Sequence, residues 1–222
     1  MKRVALVMFT LLIAQAAAGA QRRTYAPFSE YEMPREAEIA LARSAAPERI
    51  SSHATIKVLT RQGYEVAAKG DNGFLCMVLR SWSAAPDLET SYYAKLRAPI
   101  CFDPVAARTV APAEELRTRL GLEGRSPDAI AQEVAVRYGT GQLPRMEGAA
   151  FAYMWSAGQD TGPGFGAWHP HMMVYAPYYE NAMLGGNELG GRHAPFVAGG
   201  GTPYSTVLIV VDDELAIRAE GQ

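Results

Sequence analysis

His169 and His171, separated only by Pro170, have the most ligand-like spacing in this 222-residue chain. In an extended backbone, residues i and i+2 point to the same face, so both imidazoles could meet one ion. Pro170 fixes its own φ and favours an extended conformation at His169. Two such imidazoles supply half of a tetrahedral zinc site; His193 in the glycine-rich loop, His53, Asp160 or Glu180 would have to complete it. Met154, Met172, Met173 and Met183 lie in or near the same stretch, and thioethers suit Cu(I), so copper competes with zinc. An open coordination position would activate water and give a metal-dependent, hydrolase-like enzyme. The competing reading has His169 closing a turn, His171 hydrogen-bonded in the core, and the methionines filling space. No H-E-x-x-H or C-x-x-C accompanies the pair.

Other chemistry is harder to find. Ser156 follows a strand-like run, but the G-x-S-x-G elbow is absent. A triad of Ser156, His171 and Asp160 would depend entirely on how the fold places them. The loop TGPGFG (residues 161–166) has neither the Lys-Ser/Thr of a P-loop nor a following helix start. Tyr153, Trp155, Ser156, Trp168 and Tyr175 form an aromatic and hydroxyl-bearing set suited to lining a pocket, although ordinary sheet packing looks the same. The leading functional expectation is therefore binding of a small molecule or an envelope partner in a pocket around residues 151–179. Residues 184–203, with seven glycines and two prolines, would border it as a long surface loop.

The elements that must position these residues are partly legible. Residues 34–46 read as a helix, with Pro34 in the first turn, Glu36 and Glu38 near the positive end and Pro47 as the stop. Its packed face is expected to carry Ala37, Ala40, Leu41 and Ser44. Residues 54–60, 64–69 and 74–80 are three strand-like runs separated by Arg61-Gln62-Gly63 and Gly70-Asp71-Asn72-Gly73, which predicts an antiparallel meander. Residues 113–120 form a short charged helix. Ser126-Pro127-Asp128 opens another, with Ile130, Val134 and Tyr138 on one stripe and Gly139 ending it. Residues 149–156, 171–175 and 206–211 read as strands; residues 215–218 continue the last one or pair with it.

The N-terminus gives an address. Lys2 and Arg3 precede an apolar run over residues 4–18, and Ala18-Gly19-Ala20 offers small residues for cleavage before Gln21, the layout of a secretory signal peptide. The run is short for a membrane anchor, and no later segment reaches spanning length. Residues 21–222 then make one domain of roughly 200 residues. Losing Lys2 and Arg3 leaves the mature chain more acidic than the −2 of the whole, which argues against a nucleic-acid partner. Cys76 and Cys101 are the only cysteines. In an oxidising compartment they most simply form a disulfide, against free thiols or a cysteine nucleophile.

Ser44-Ala45-Ala46-Pro47, Asn72-Gly73-Phe74-x-Cys76-x-Val78-x-Arg80, Tyr153-Met154-x-Ser156 and Pro170-His171-x-Met173-x-Tyr175-Ala176-Pro177 together resemble features of a family of exported bacterial proteins with no assigned activity. The likeness spans about half of the mature chain and implies export; no substrate, cofactor or catalytic residue comes with it. The expected fold is α+β, an antiparallel sheet with two or three helices against it in a single domain, pinned by Cys76 and Cys101.

Overall fold

Residue Gly70 shows how the sheet is wired. In the computed structural model, which describes residues 23–146, 148–162, 169–186 and 194–219, the chain leaves a hairpin of β1 (Thr55–Thr60) and β2 (Gly63–Ala68) and crosses over the start of β1. A Cβ on Gly70 would stand 2.2 Å from the carbonyl oxygen of His53, so only glycine lets the two backbones pass. Asp71 N–H donates to that carbonyl at 3.0 Å, and Thr55 N–H donates to Phe74 O at 2.9 Å. The crossing delivers β3 (Leu75–Leu79) to the far side of β1, parallel to it, with Ile56 opposite Cys76. The expected antiparallel meander is thus corrected to the order β2-β1-β3. Burial explains it: every β3 residue is buried, whereas β2 exposes Glu65 and Val66 at the sheet edge.

From β3 onward all pairings are antiparallel. β4 (Ala98–Phe102), β5 (Ala150–Met154), β6 (His171–Tyr175), β7 (Phe196–Ala198) and β8 (Thr206–Val210) complete an eight-stranded sheet in the order β2-β1-β3-β4-β5-β6-β8-β7. β4 and β7 had no clear sequence signal; β7 lies inside the glycine-rich stretch read as loop. Residues 215–218 do not extend β8. A 3₁₀ turn at Asp213–Leu215 redirects the chain, and Ile217 then bridges Ser156.

One face of the sheet is closed by α1 (Arg35–Arg43) and the short α2 (Glu48–Ser51). Leu41, Ala42, Ala45 and Ala46 pack there on Ile56, Cys76, Val78 and Cys101. The packed stripe of α1 is rotated from the expected one, because Ala37 is exposed and Glu38 is buried in its place. Glu38 accepts from Arg80 Nη2 at 2.9 Å and from Leu59 N–H at 3.1 Å, while Arg80 also donates to the carbonyls of Tyr31 and Val78. Cys76 and Cys101 are bonded across directly opposed positions of β3 and β4.

The other face carries α3 (Pro104–Thr109), α4 (Ala111–Leu122) and α5 (Pro127–Gly139). Asp103 caps α3 through Ala106 N–H at 2.7 Å and also accepts from Phe151 N–H at 3.2 Å, which ties that helix start to β5. Ser126 caps α5 as its sequence predicts, and Ile130, Val134 and Tyr138 are its buried stripe. Among the described residues no helix is long and apolar enough to cross a membrane. The segment 1–20, Trp168 and His193 lie outside the described residues.

Candidate functional site

Strand alternation divides the aromatic set. Ala150, Ala152 and Met154 of β5 are buried towards the α4/α5 side with Tyr175 of β6. Tyr153 therefore points to the opposite face, where it packs on Phe74, Cys76 and Cys101 near α1. Trp155 follows it there, its ring edge-on to Tyr153 at 5.3 Å. Ser156 is fully buried, 2.6 Å from Ser44 Oγ, and accepts from Gly158 N–H, which makes it a fastening between α1 and the end of β5. Of the expected pocket residues that are described, Tyr175 alone borders the cavity between the sheet and the helices.

That cavity measures about 510 Å³ and is the candidate site. Its floor is apolar: Leu79, Ala98, Ile100, Phe102, Met154 and Met173 supply alternate positions of four neighbouring strands. α4 and α5 roof it with Ala113, Ala131 and Val134, and residues 83–90 and 198–204 contribute to the walls. The second of these segments is held from within: Ser205 is buried, accepts from Thr202 N–H at 3.0 Å and donates to Gly199 O at 2.8 Å. Tyr178 N–H reaches Thr202 O at 2.7 Å from a left-handed backbone position, φ 63°. Such a conformation disfavours a residue with a Cβ by about 1–2 kcal/mol.

Charge enters the cavity from one helix. Glu114 and Arg117, at i and i+3 on α4, both line it, and Arg117 Nε lies 3.6 Å from Glu114 Oε1, beyond hydrogen-bond range. The guanidinium carbon sits 5.4 Å from the ring centre of Tyr204, which is itself 6.0 Å from Tyr138. Arg117 Nε and Glu114 Oε2 are buried and have no hydrogen-bond partner among the described residues. The same holds for Ser83 Oγ and Thr90 Oγ1, whose residues line the same cavity. Burial, aided by the Glu114 carboxylate, pushes the Tyr138 phenol up to about 12 and raises that of Tyr175 well above its usual value, so both stay protonated.

A larger cavity of about 820 Å³ lies between Tyr25, Tyr31, Trp82 and Tyr92. Its rim includes Arg23 and Arg125. Gly121 is obligatory there, since a Cβ would stand 2.2 Å from the Trp82 ring.

The histidine pair lies at the start of β6. His171 Nδ1 is 2.9 Å from the carbonyl oxygen of His169, and His169 Nδ1 is 2.8 Å from Asp213 Oδ1. Both acceptors are oxygens, so Nδ1 of each imidazole carries a proton. Burial lowers the pKa of His171 below its usual 6.5. Among the described residues no group of three His, Cys, Asp or Glu could hold a metal ion. His53 is instead paired with Asp71 at the Gly70 crossing, and Asp160 accepts from Tyr93 OH at 3.0 Å.

Sequence reasoning missed the cavity's charged pair. On α4 the i, i+3 spacing of opposite charges reads as a solvated ion pair, and only the turn of the helix onto the sheet buries it. No protein-family model, no curated protein and no solved structure matches this chain, so the site rests on its own geometry.

Proposed function

We propose that this is an exported binding protein that holds a small, predominantly apolar molecule between its sheet and helices α4 and α5. The observation that carries the reading is that buried, partnerless polar atoms on Ser83, Thr90, Glu114 and Arg117 border an otherwise apolar cavity. Native proteins pair nearly all such groups, and each exception calls for an explanation, a bound molecule being one. The volume lies within the range of sites for small organic ligands. Export is supported by the N-terminal pattern and by the Cys76–Cys101 bond, which an oxidising compartment sustains.

The test is titration of the purified mature chain with the uncharged fluorophore N-phenyl-1-naphthylamine. Saturable binding to one site is expected. Ala131→Trp, which places an indole in the roof, should abolish it while leaving the circular dichroism spectrum unchanged. A folded protein that ignores the fluorophore, or an Ala131→Trp variant that binds it equally well, would sink the proposal.

A second reading, metal-dependent hydrolysis at His169 and His171, draws on one observation. Both rings donate through Nδ1 to an oxygen, the outer arrangement that metal-bound histidines use. Elemental analysis of untagged protein decides it: a stoichiometric zinc or copper ion, lost in His171→Ala, is the required result.

A further inference from the structure

We infer that the polar end of the cavity selects an uncharged head group able to donate and accept a hydrogen bond at once, a hydroxyl or primary amide on an apolar chain. This deepens the binding reading above and depends on it. Glu114 and Arg117 already neutralise each other electrically. The remaining ionic group at the wall, Arg80, is neutralised by Glu38 and satisfied by backbone carbonyls. A carboxylate or ammonium head would therefore bring an unmatched charge into a space floored by hydrocarbon, where ionic groups are tolerated only when paired.

What Glu114 and Arg117 lack is hydrogen bonding, not charge. Their separation of 3.6 Å is too long for a direct bond, and neither has another hydrogen-bond partner among the described residues. A hydroxyl resolves both deficits together, its oxygen accepting from the guanidinium while its proton goes to the carboxylate; a primary amide does the same with its carbonyl and NH₂. Tyr204 holds the guanidinium against its ring face, which restrains Arg117 from swinging out to water. The protonated Tyr175 phenol borders the same cavity and adds a neutral donor, not a charge, while the Tyr138 hydroxyl donates to Thr109 O.

Calorimetric titration of the mature chain with octanol, octanamide, octanoate and octylammonium at neutral pH tests this, because the chain is constant and only the head changes. The alcohol and the amide should bind more tightly than either ion by about tenfold or more. Glu114→Gln should shift preference towards octanoate, and Arg117→Met towards octylammonium, each by leaving one charge unopposed. Wild-type protein that binds an ion as tightly as the neutral compounds overturns the head-group inference while sparing the cavity reading. If none of the four binds, the cavity reading falls and the inference with it.

Discussion

The two sides of the sheet each hold an ion pair, fully buried on one and partly buried on the other, and they finish it differently. Towards α1, the pair of Glu38 and Arg80 is complete even though Arg80 also borders the cavity: the guanidinium reaches one carboxylate oxygen and two carbonyls, and the carboxylate also takes the Leu59 N–H. On the α4 face, Glu114 and Arg117 meet only loosely and keep partnerless atoms beside a cavity. A pair completed by its own backbone is architecture, whereas one left incomplete next to empty space is what the proposed binding role would use. The difference between them teaches more than the burial of either alone.

The contrast can be broken by mutation. Arg80→Met should cost about 3–5 kcal/mol in urea unfolding, because it strands the Glu38 carboxylate in a dry interior. Replacing both cysteines by alanine removes the constraint on a separation of 25 residues and should cost roughly 3 kcal/mol. The paired change Glu114→Gln/Arg117→Met should move stability by no more than about 1 kcal/mol, since it removes both charges together and breaks no well-formed bond. If that double variant unfolds as readily as Arg80→Met, the two faces are equivalent and the comparison fails.

The smallest expected effect is a pH slope. His171 has a lowered pKa in the folded state, chiefly through burial, so the unfolded chain binds its proton first as pH falls. Its contribution to stability is complete above 6.5 and is lost as pH drops from there through the folded-state value. His171→Gln should flatten that part of the stability profile, as followed by thermal melts across mildly acid pH. An unchanged slope would mean that the proton is taken up elsewhere.

Much of the frame could be read from residue types alone. Ser126-Pro127 announced α5, alternation and length announced β5, β6 and β8, and the two cysteines proved to face each other. The meander failed because Gly70-Asp71-Asn72-Gly73 is equally good chemistry for a tight hairpin and for a chain crossing; what decides is how hydrophobic the next strand is on both faces. Glu38 was misplaced because an acid in a helix's first turn has a ready explanation in the helix dipole, and its partner Arg80 is 42 residues away. The expected pocket around residues 151–179 runs through both faces of β5, whereas the cavity is lined mostly by residues outside that stretch, from β3, β4, α4 and α5. Tyr153 and Tyr175 differ by an even number of residues, yet the intervening loop resets which side each strand presents. Glu114 and Arg117 gave no signal, since burial of a helical charge depends on which way the whole helix rolls.

Cys76 and Cys101 sit on the sealed side, yet the bond between them governs the hollow one. They are cross-strand neighbours, so slipping β3 against β4 by a single position would turn Leu79 away from the cavity and bring its sequence neighbour Val78 round to it. The covalent link forbids that slip. The floor of the hollow is thus typeset from behind, by a sulfur clasp on the opposite side of the sheet.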